Sequence, residues 1–293
     1  MGRLVVVGTP IGNLGDLSPR AAGALRAADL VVAEDTRVAA RLLAHLDARR
    51  PTRSFNEHNA EARLPELLAR LASGETLALT TDAGMPAVSD PGARLVAAAR
   101  AARHEVAVVP GPAAVTAALS LAGEEAAGFV FGGFLPARPA STRMAALERL
   151  LAGSGAMRLP LVLYEAPPRV RALLAALAER VPDARVALAR ELTKRHEEVI
   201  TGIPAEVAAA LTEARGEFTI VVSAIPAPPA RADGLDAGAL ASAAAAQGLS
   251  VRTTVELLRA AGLGRREAYA VAESAVHRAG QPPPDDKPSV TGR

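Results

Sequence analysis

Residues 80–92 read TTDAGMPAVSDPG and set two aspartates and several hydroxyls among glycine and proline. Glycine lets backbone approach a ligand closely and proline fixes a loop's path, so such a run offers N–H and C=O groups as readily as side chains. Two other runs share this character, GTPIGNLGD at 8–16 and VVPGPAAVTAAL at 108–119. The first lacks both the GK[ST] ending of a P-loop and the G-x-G-x-x-G order of a dinucleotide site. Taken alone, 80–92 also reads as two successive turns with Ser89 or Asp90 capping the next helix. Acid–base candidates lie elsewhere. Glu57 and His58 are adjacent, although His58 reads equally well as a loop histidine. In RELTKRHEEV at 190–199, an extended chain puts Glu191, Thr193 and Arg195 on one face and Arg190, Leu192 and Lys194 on the other. A salt-bridged strand end is the alternative there. Cysteine is absent, which removes a thiol nucleophile, a disulfide framework and any Cys-ligated metal.

The elements that must position these residues alternate along the chain. Half of the 293 residues are hydrophobic, enough for a sizeable core in one large or two medium domains. Strands are expected at 4–8, 29–35, around Phe55, at 76–81 and at 105–111. Helices follow, one starting at Ser18-Pro19 with Ser as N-cap and Pro in the first turn, others running to Leu46 and over 61–72. FVFGGFLP, LPLVLYEAP, RVALAREL and GEFTIVVSA read as four further strands, with helices around 141–152, 168–180 and 204–214. This pattern predicts an α/β protein of two α/β/α domains, 1–112 and 113–224. The Pro-rich segment 225–238 reads as a linker, and 239–279 as a small helical module of about 239–247, 250–261 and 264–278. Residues 280–293 lack apolar groups and are expected to be disordered.

Net charge is only +2, and all but Lys194 and Lys287 of the basic residues are arginine. Arginine keeps its charge and its donor fork suits phosphate, so an acidic partner is compatible with this balance. There is no Trp, and Tyr164 and Tyr269 stand beside five Phe, so aromatic base-stacking platforms are not expected. The opening MGRLVVVGTPIGN has too short an apolar run for a signal peptide or membrane span, which predicts a cytoplasmic protein without membrane association.

VGTPIGNLGDLSPRA, AEDTR, FNEHN, TTDAGMPAVSDPG, VVPGPAAVTAAL, GGFLPAR, LYEAPPR, RELTKRHEEVITG and GEFTIVV, in this order, resemble the tetrapyrrole methylase superfamily. Within it they are similar to the branch that methylates a cytidine 2′-oxygen of small-subunit ribosomal RNA. The resemblance covers roughly 3–224 and, weakly, GLGRREAY in the helical module. It implies S-adenosylmethionine bound in a cleft between two α/β domains, no metal, and a homodimer acting on small-subunit ribosomal RNA or the assembled small subunit. It places the methyl donor near Pro10, near Asp82, Ala83, Gly84, Pro86, Val88 and Ser89, and near Ala114 and Val115. From the second domain it adds Tyr164, Glu165, Glu217, Phe218 and Thr219.

The implied catalytic candidates are Lys194, Asp35, Glu191, Glu57 and His58, with Glu34 in the same motif as Asp35. Lys194 would ease ionisation of the hydroxyl or hold the adjacent phosphate while a carboxylate takes the proton. Arg37, Arg138, Arg143, Arg169, Arg195, Arg265 and Arg266 are the candidates for RNA contact. Met85, Pro168 and Arg138 depart from the residues usual in that family. Competing readings are a tetrapyrrole C-methyltransferase and a non-catalytic RNA-binding factor on the same fold; AEDTR and RELTKRHEE argue against the former.

Overall fold

The computed structural model describes residues 2–88, 90–227 and 236–279, so Ser89, most of the expected linker and the expected tail lie outside the described residues. Two compact units emerge, Met1–Pro226 and Ala227–Arg293.

The first unit holds two sheets. Strands β1 (Arg3–Val7), β2 (Leu30–Ala33), β3 (Thr52–Ser54), β4 (Thr76–Leu79) and β5 (Glu105–Val109) pair in the order β3-β2-β4-β1-β5, all parallel. Alternate side chains serve opposite faces. Val5, Val7, Val31 and Ala33 pack against α1 (Pro19–Ala27) and α2 (Thr36–His45). Leu4, Val6, Leu30 and Val32 pack against α3 (Ala60–Ala72) and α4 (Gly92–Ala101). Burial on both faces is why β1, β2 and β4 read as unbroken apolar runs. Ser18 caps α1 by accepting the Ala21 N–H at 3.1 Å, as its sequence predicts.

A parallel sheet gathers the carboxyl ends of all its strands on one edge. Neighbouring β1 and β4 lead into helices on opposite faces, the place where an open parallel sheet forms a crevice beyond its strand ends. The loops of β1 and β5 also touch. Gly8 N–H donates to Val109 at 2.9 Å, and a Cβ on Gly111 would lie 2.7 Å from the Gly8 carbonyl carbon.

The second sheet contains β6 (Val130–Phe134), β7 (Leu161–Glu165), β8 (Arg185–Arg190), β9 (Glu198–Gly202) and β10 (Phe218–Ser223). Their order is β6-β7-β10-β8-β9, with only β6 and β7 parallel. One face packs on α5 (Ala114–Ala122) through Val162, Ala187 and Val221. The other packs on α6 (Ala140–Met157), α7 (Pro167–Arg180) and α8 (Pro204–Ala210) through Leu163, Leu188 and Ile220.

Two expectations fail here. Strand β9 was not foreseen, because it is a half-buried edge strand whose EVITG carries too little alternation to stand out. The extended reading of 190–197 also fails: β8 ends at Arg190 and the chain turns back so that β9 can pair antiparallel with β8. Glu191 and Thr193 take left-handed backbone within that turn, at φ 52° and 66°.

Among the described residues the second unit has three helices, α9 (Ala237–Ala246), α10 (Val251–Ala260) and α11 (Arg265–Ala279), closed over Ala241, Leu258, Ala268, Ala272 and Ala275. Ser250 caps α10 through the Thr253 N–H, as expected.

The Gly8–Gly111 contact leaves no room for a methyl group. Gly111→Ala will destabilise the first unit by about 1–3 kcal/mol, the range for overpacking. Gly153→Ala, where an added Cβ meets nothing within 4 Å, will be neutral or stabilising by about 0.4–1 kcal/mol, the range for a compatible Gly→Ala change. Chemical denaturation of the two variants against the parent protein checks both.

Candidate functional site

The crevice is built first by backbone. Thr9 and Gly84 exchange N–H···O bonds at 2.9 and 3.2 Å, and the buried Thr9 hydroxyl donates to Thr81 and Gly84 carbonyls at 3.3 Å. Beyond Thr9, Ile11 leaves the first sheet and buries itself with Val115, Ala118 and Leu192 on the α5 side of the second. Gly12 then lies so close that a Cβ there would fall 2.5 Å from Lys194 Cγ. The loop after β1 is thereby laid on the turn between β8 and β9.

A cavity of about 400 Å³ opens at this junction. Its walls are Thr9–Gly12, Val38 and Arg41 of α2, Thr80–Ala83, and Lys194 and Glu217 from the second sheet. Of the sequence candidates, Pro10, Asp82, Ala83, Lys194 and Glu217 converge there. Arg41, Thr81 and Gly12 were not singled out beforehand, because only the fold brings them to this wall.

Lys194 is the cation that the second sheet brings to the cavity, opposite Arg41 of α2. Its ammonium meets Glu191 Oε1 and Glu217 Oε2, each at 2.8 Å. Glu191 Oε1 also accepts the Glu217 N–H at 3.0 Å, and Glu191 N–H donates to the Glu217 carbonyl. Partial burial alone would lower the Lys194 pKa, but the two carboxylates outweigh it and hold the pKa above the usual lysine value. Glu191 responds in kind: burial would raise it, and Lys194 with the Glu217 N–H carries it below the usual range. Gly216 makes this possible. At φ 87°, its absent Cβ leaves the space Glu191 fills, where a methyl would stand 2.4 Å from Oε1.

A neighbouring cavity of about 460 Å³ is lined by Glu34, Asp35, Thr36 and Arg37 at the end of β2 and by Ser54, Asn56, Glu57 and His58 at the end of β3. Asp35 caps α2 through Arg37 N–H and grips the Arg37 side chain with both oxygens. That grip, chiefly the guanidinium hydrogen bond, holds Asp35 down to about 2. Glu34 Oε2 accepts the Thr81 hydroxyl at 3.0 Å, and Asp82 Oδ1 accepts the Asp35 N–H at 3.0 Å, so the two cavities share this wall. Burial, with Asp82 and Asp90 nearby, raises the Glu34 pKa against the pull of Thr81. Glu57 and His58 are exposed on their turn.

Other candidates are placed differently. Tyr164 is half-buried, edge-on to Phe131 at 5.0 Å, with its phenol hydrogen-bonded to the Val115 backbone and its pKa raised by burial. Ala114 and Val115 open α5. Gly84 and Pro86 are buried, whereas Val88 is exposed. Thr219 is buried, and Phe218 gives its side chain to the core beneath α6 to α8.

Glu165 and Arg143, expected at the methyl donor and at RNA, instead meet each other. The Glu165 side chain is inaccessible, paired through Oε2 with buried Arg143 and through Oε1 with Arg169 at 2.8 Å. The cause is the opposite face of β7: Glu165 points toward the start of α6 and α7 while Tyr164 points toward α5. Arg138 and Arg195 are exposed, and Arg265 and Arg266 are exposed in the second unit. Among the described residues no group of three or more His, Cys, Asp or Glu residues could hold a metal ion.

Comparison with known proteins fits this geometry. The sequence profile of Tetrapyrrole (Corrin/Porphyrin) Methylases matches residues 3–208. Ribosomal RNA small subunit methyltransferase I of Xylella fastidiosa strain Temecula1 is 46% identical over 226 residues, 75% of this chain and 81% of that one. The protein of that name from Thermotoga maritima is 40% identical over 225 residues, 76% of this chain and 99% of that one. Its counterpart in Micromonospora olivasterospora is 40% identical over 283 residues, 95% and 89% of the two chains. Among solved structures, uroporphyrin-III C-methyltransferase from Thermus thermophilus, complexed with S-adenosylhomocysteine, superposes with a TM-score of 0.55 at 19% identity over 77% of this chain and 98% of that one. Diphthine synthase gives 0.61 at 14% identity, over 76% and 90%. At such identities the two structures establish a shared fold.

The Lys194 bracket has a direct spectroscopic test, since the chain's only other lysine is Lys287. Side-chain NMR will show Lys194 titrating above an ordinary lysine, and Glu191→Gln will bring it down toward that value. Asp35 will stay ionised as pH falls past the usual aspartate range. Its depressed pKa means the cap is complete above pH 3.8 and is lost only as pH falls through about 2. Carboxyl-detected NMR of Arg37→Ala will find Asp35 back near its ordinary value.

Proposed function

The chain belongs to the tetrapyrrole methylase family, and from this premise we propose that it transfers the methyl group of S-adenosylmethionine to a cytidine 2′-oxygen in small-subunit ribosomal RNA. The observation that carries the reading is the cavity where Lys194 and Glu217 face Pro10 and Asp82, in a chain whose relatives are ribosomal RNA small subunit methyltransferases I. Glu191, Glu217 and Asp82 stand against Lys194 and Arg41 at this wall, three carboxylates to two cations, so the balance there is net negative and suited to a sulfonium cation.

The methyl donor acts as a second substrate, presenting an electrophilic carbon on positive sulfur. Pro10, Asp82, Ala83, Gly84 and Pro86 would hold it from the first sheet, largely through backbone. Ala114, Val115, Tyr164, Glu217 and Thr219 would hold it from α5 and the second sheet. Lys194 keeps its proton, so it eases ionisation of the hydroxyl or fixes the adjacent phosphate and does not act as the base. Exposed Arg37, Arg138, Arg195, Arg265 and Arg266 would meet phosphates. The RNA is naked or in the assembled subunit, and the enzyme works in the cytoplasm as a homodimer. Among the described residues no helix is long and apolar enough to cross a membrane.

The test is methyl transfer from labelled S-adenosylmethionine to small subunits from a strain lacking the modification, followed by mapping of the label. Label on a cytidine 2′-oxygen is the expected result. No transfer with donor binding intact overturns the substrate. Lys194→Met will slow the single-turnover rate by about 10²-fold, the scale for losing one preorganised electrostatic group. Calorimetry of donor binding to the same variant will separate a change in the shape of the site from loss of the chemical step.

A further inference from the structure

We propose that Glu34 is the group that accepts the proton of the ribose hydroxyl, an inference that rests on the methyl transfer proposed above. The argument begins with what the other carboxylates at this edge are doing. Asp35 is clasped by Arg37 through both oxygens. Glu191 and Glu217 are tied to Lys194. Asp90 accepts the N–H groups of Val88 and Gly92 at 3.2 and 2.7 Å, opening α4. Asp82 Oδ1 accepts the Asp35 N–H. A carboxylate held by a cation is a poor base, because protonation must first break the pair, which sets aside Asp35, Glu191 and Glu217; Asp82 and Glu57 are exposed, and Asp90 is committed to the start of α4.

Glu34 has no cationic partner. Its carboxylate accepts the Thr81 hydroxyl at 3.0 Å and a backbone N–H of Asp82. It is half-buried at the end of β2, the neighbour of β4, and it lines the outer cavity while Thr81 and Asp82 line the inner one. Through its bond to Thr81, Glu34 stands at the wall between the two cavities, where it would meet a hydroxyl presented from the outer cavity toward a methyl group in the inner one. The outer cavity's volume of about 460 Å³ lies within the usual range for small-ligand sites.

The charged groups facing Glu34 are Asp82 and Asp90 from the loop after β4, Asp35 and Arg37 from the start of α2, and Glu57 and His58 across the outer cavity. Burial and the two aspartates after β4 raise its pKa, which makes it a stronger base than a free carboxylate.

The step balances. The ribose O–H bond breaks and its proton goes to Glu34. The oxygen's electron pair forms the bond to the methyl carbon as the carbon–sulfur bond breaks. That pair stays on sulfur, which passes from sulfonium to neutral thioether, and Glu34 returns its proton to water.

The experiment is single-turnover methyl transfer to small subunits across pH, with donor affinity measured in parallel. In the parent protein the rate will rise with pH, with a half-maximum above the ordinary glutamate range. Glu34→Gln will bind donor normally, lose about 10²–10⁴ in rate, as expected for removal of a general base, and lose that acid limb. Thr81→Val, which removes a hydrogen bond to the carboxylate, will move the half-maximum to higher pH. A Glu34→Gln rate close to the parent's, or a slow rate with the parent's pH profile, overturns the proposal while methyl transfer stands. If Glu34→Gln does not fold, an unmoved acid limb in Thr81→Val overturns it. Failure of the parent protein to transfer methyl overturns the reading beneath it.

Discussion

The Lys194 ammonium, held at 2.8 Å by both Glu191 and Glu217, is the interaction on which the shape of the site depends. To reach it from the turn after β8, Glu191 and Thr193 take left-handed backbone, at a cost of roughly 1–2 kcal/mol per residue. Gly216 gives up a side chain so that Glu191 has somewhere to stand, and Gly12 does the same for the Lys194 stem. Four backbone concessions converge on one cation. The two carboxylates offset them, together with the burial of Ile11 and Leu192 that the same turn allows.

Topology explains why residues so distant in sequence meet. A wholly parallel sheet collects only the carboxyl ends of its strands at one edge. In the second sheet β10 runs antiparallel between β7 and β8, with Phe218 opposite both Glu165 and Arg190. Its first residues therefore arrive where the other two strands finish. Glu217 is delivered to Glu191 and Lys194 in that way, and the loop after β1 completes the wall from the first sheet.

This division sets what the sequence could reveal. Strands β1, β2 and β4 were legible because burial on both faces leaves continuous apolar runs, and Ser18 and Ser250 were legible because capping is local. Lys194, Glu191 and Glu217 were named individually, yet alternation put Glu191 and Lys194 on opposite faces. That argument presupposes an extended chain, and the turn at 191–197 removes the premise. Arg143 and Glu165 illustrate a second limit. Their pairing depends on which face of β7 the glutamate takes and on where α6 begins, and neither is written in a window of local sequence. The wall formed by Glu34 and Thr81 is likewise tertiary, 47 residues apart in the chain.

Charge is better understood as free and spent groups than as a net sum. The formal balance of +2 conceals a large internal account, because many arginines are neutralised within the fold. Arg53 and Arg63 share Glu66, Arg70 takes Glu75, Arg190 takes Glu198 and Glu213, and Arg143 and Arg169 share Glu165. Arg53–Glu66, Arg143–Glu165 and Arg169–Glu165 hold helices to strands, and Arg190–Glu198 joins two strands. Arg138 and Arg195 are exposed in the first unit, Arg265 and Arg266 in the second, and Arg41 lines the main cavity. A polyanion would find these arginines with their donor forks unspent, against a background where opposite charges cancel within about a Debye length. The same separation operates among the acids, where the cation-bound carboxylates shape the walls and Glu34, half-buried and free of a cation, keeps its basicity.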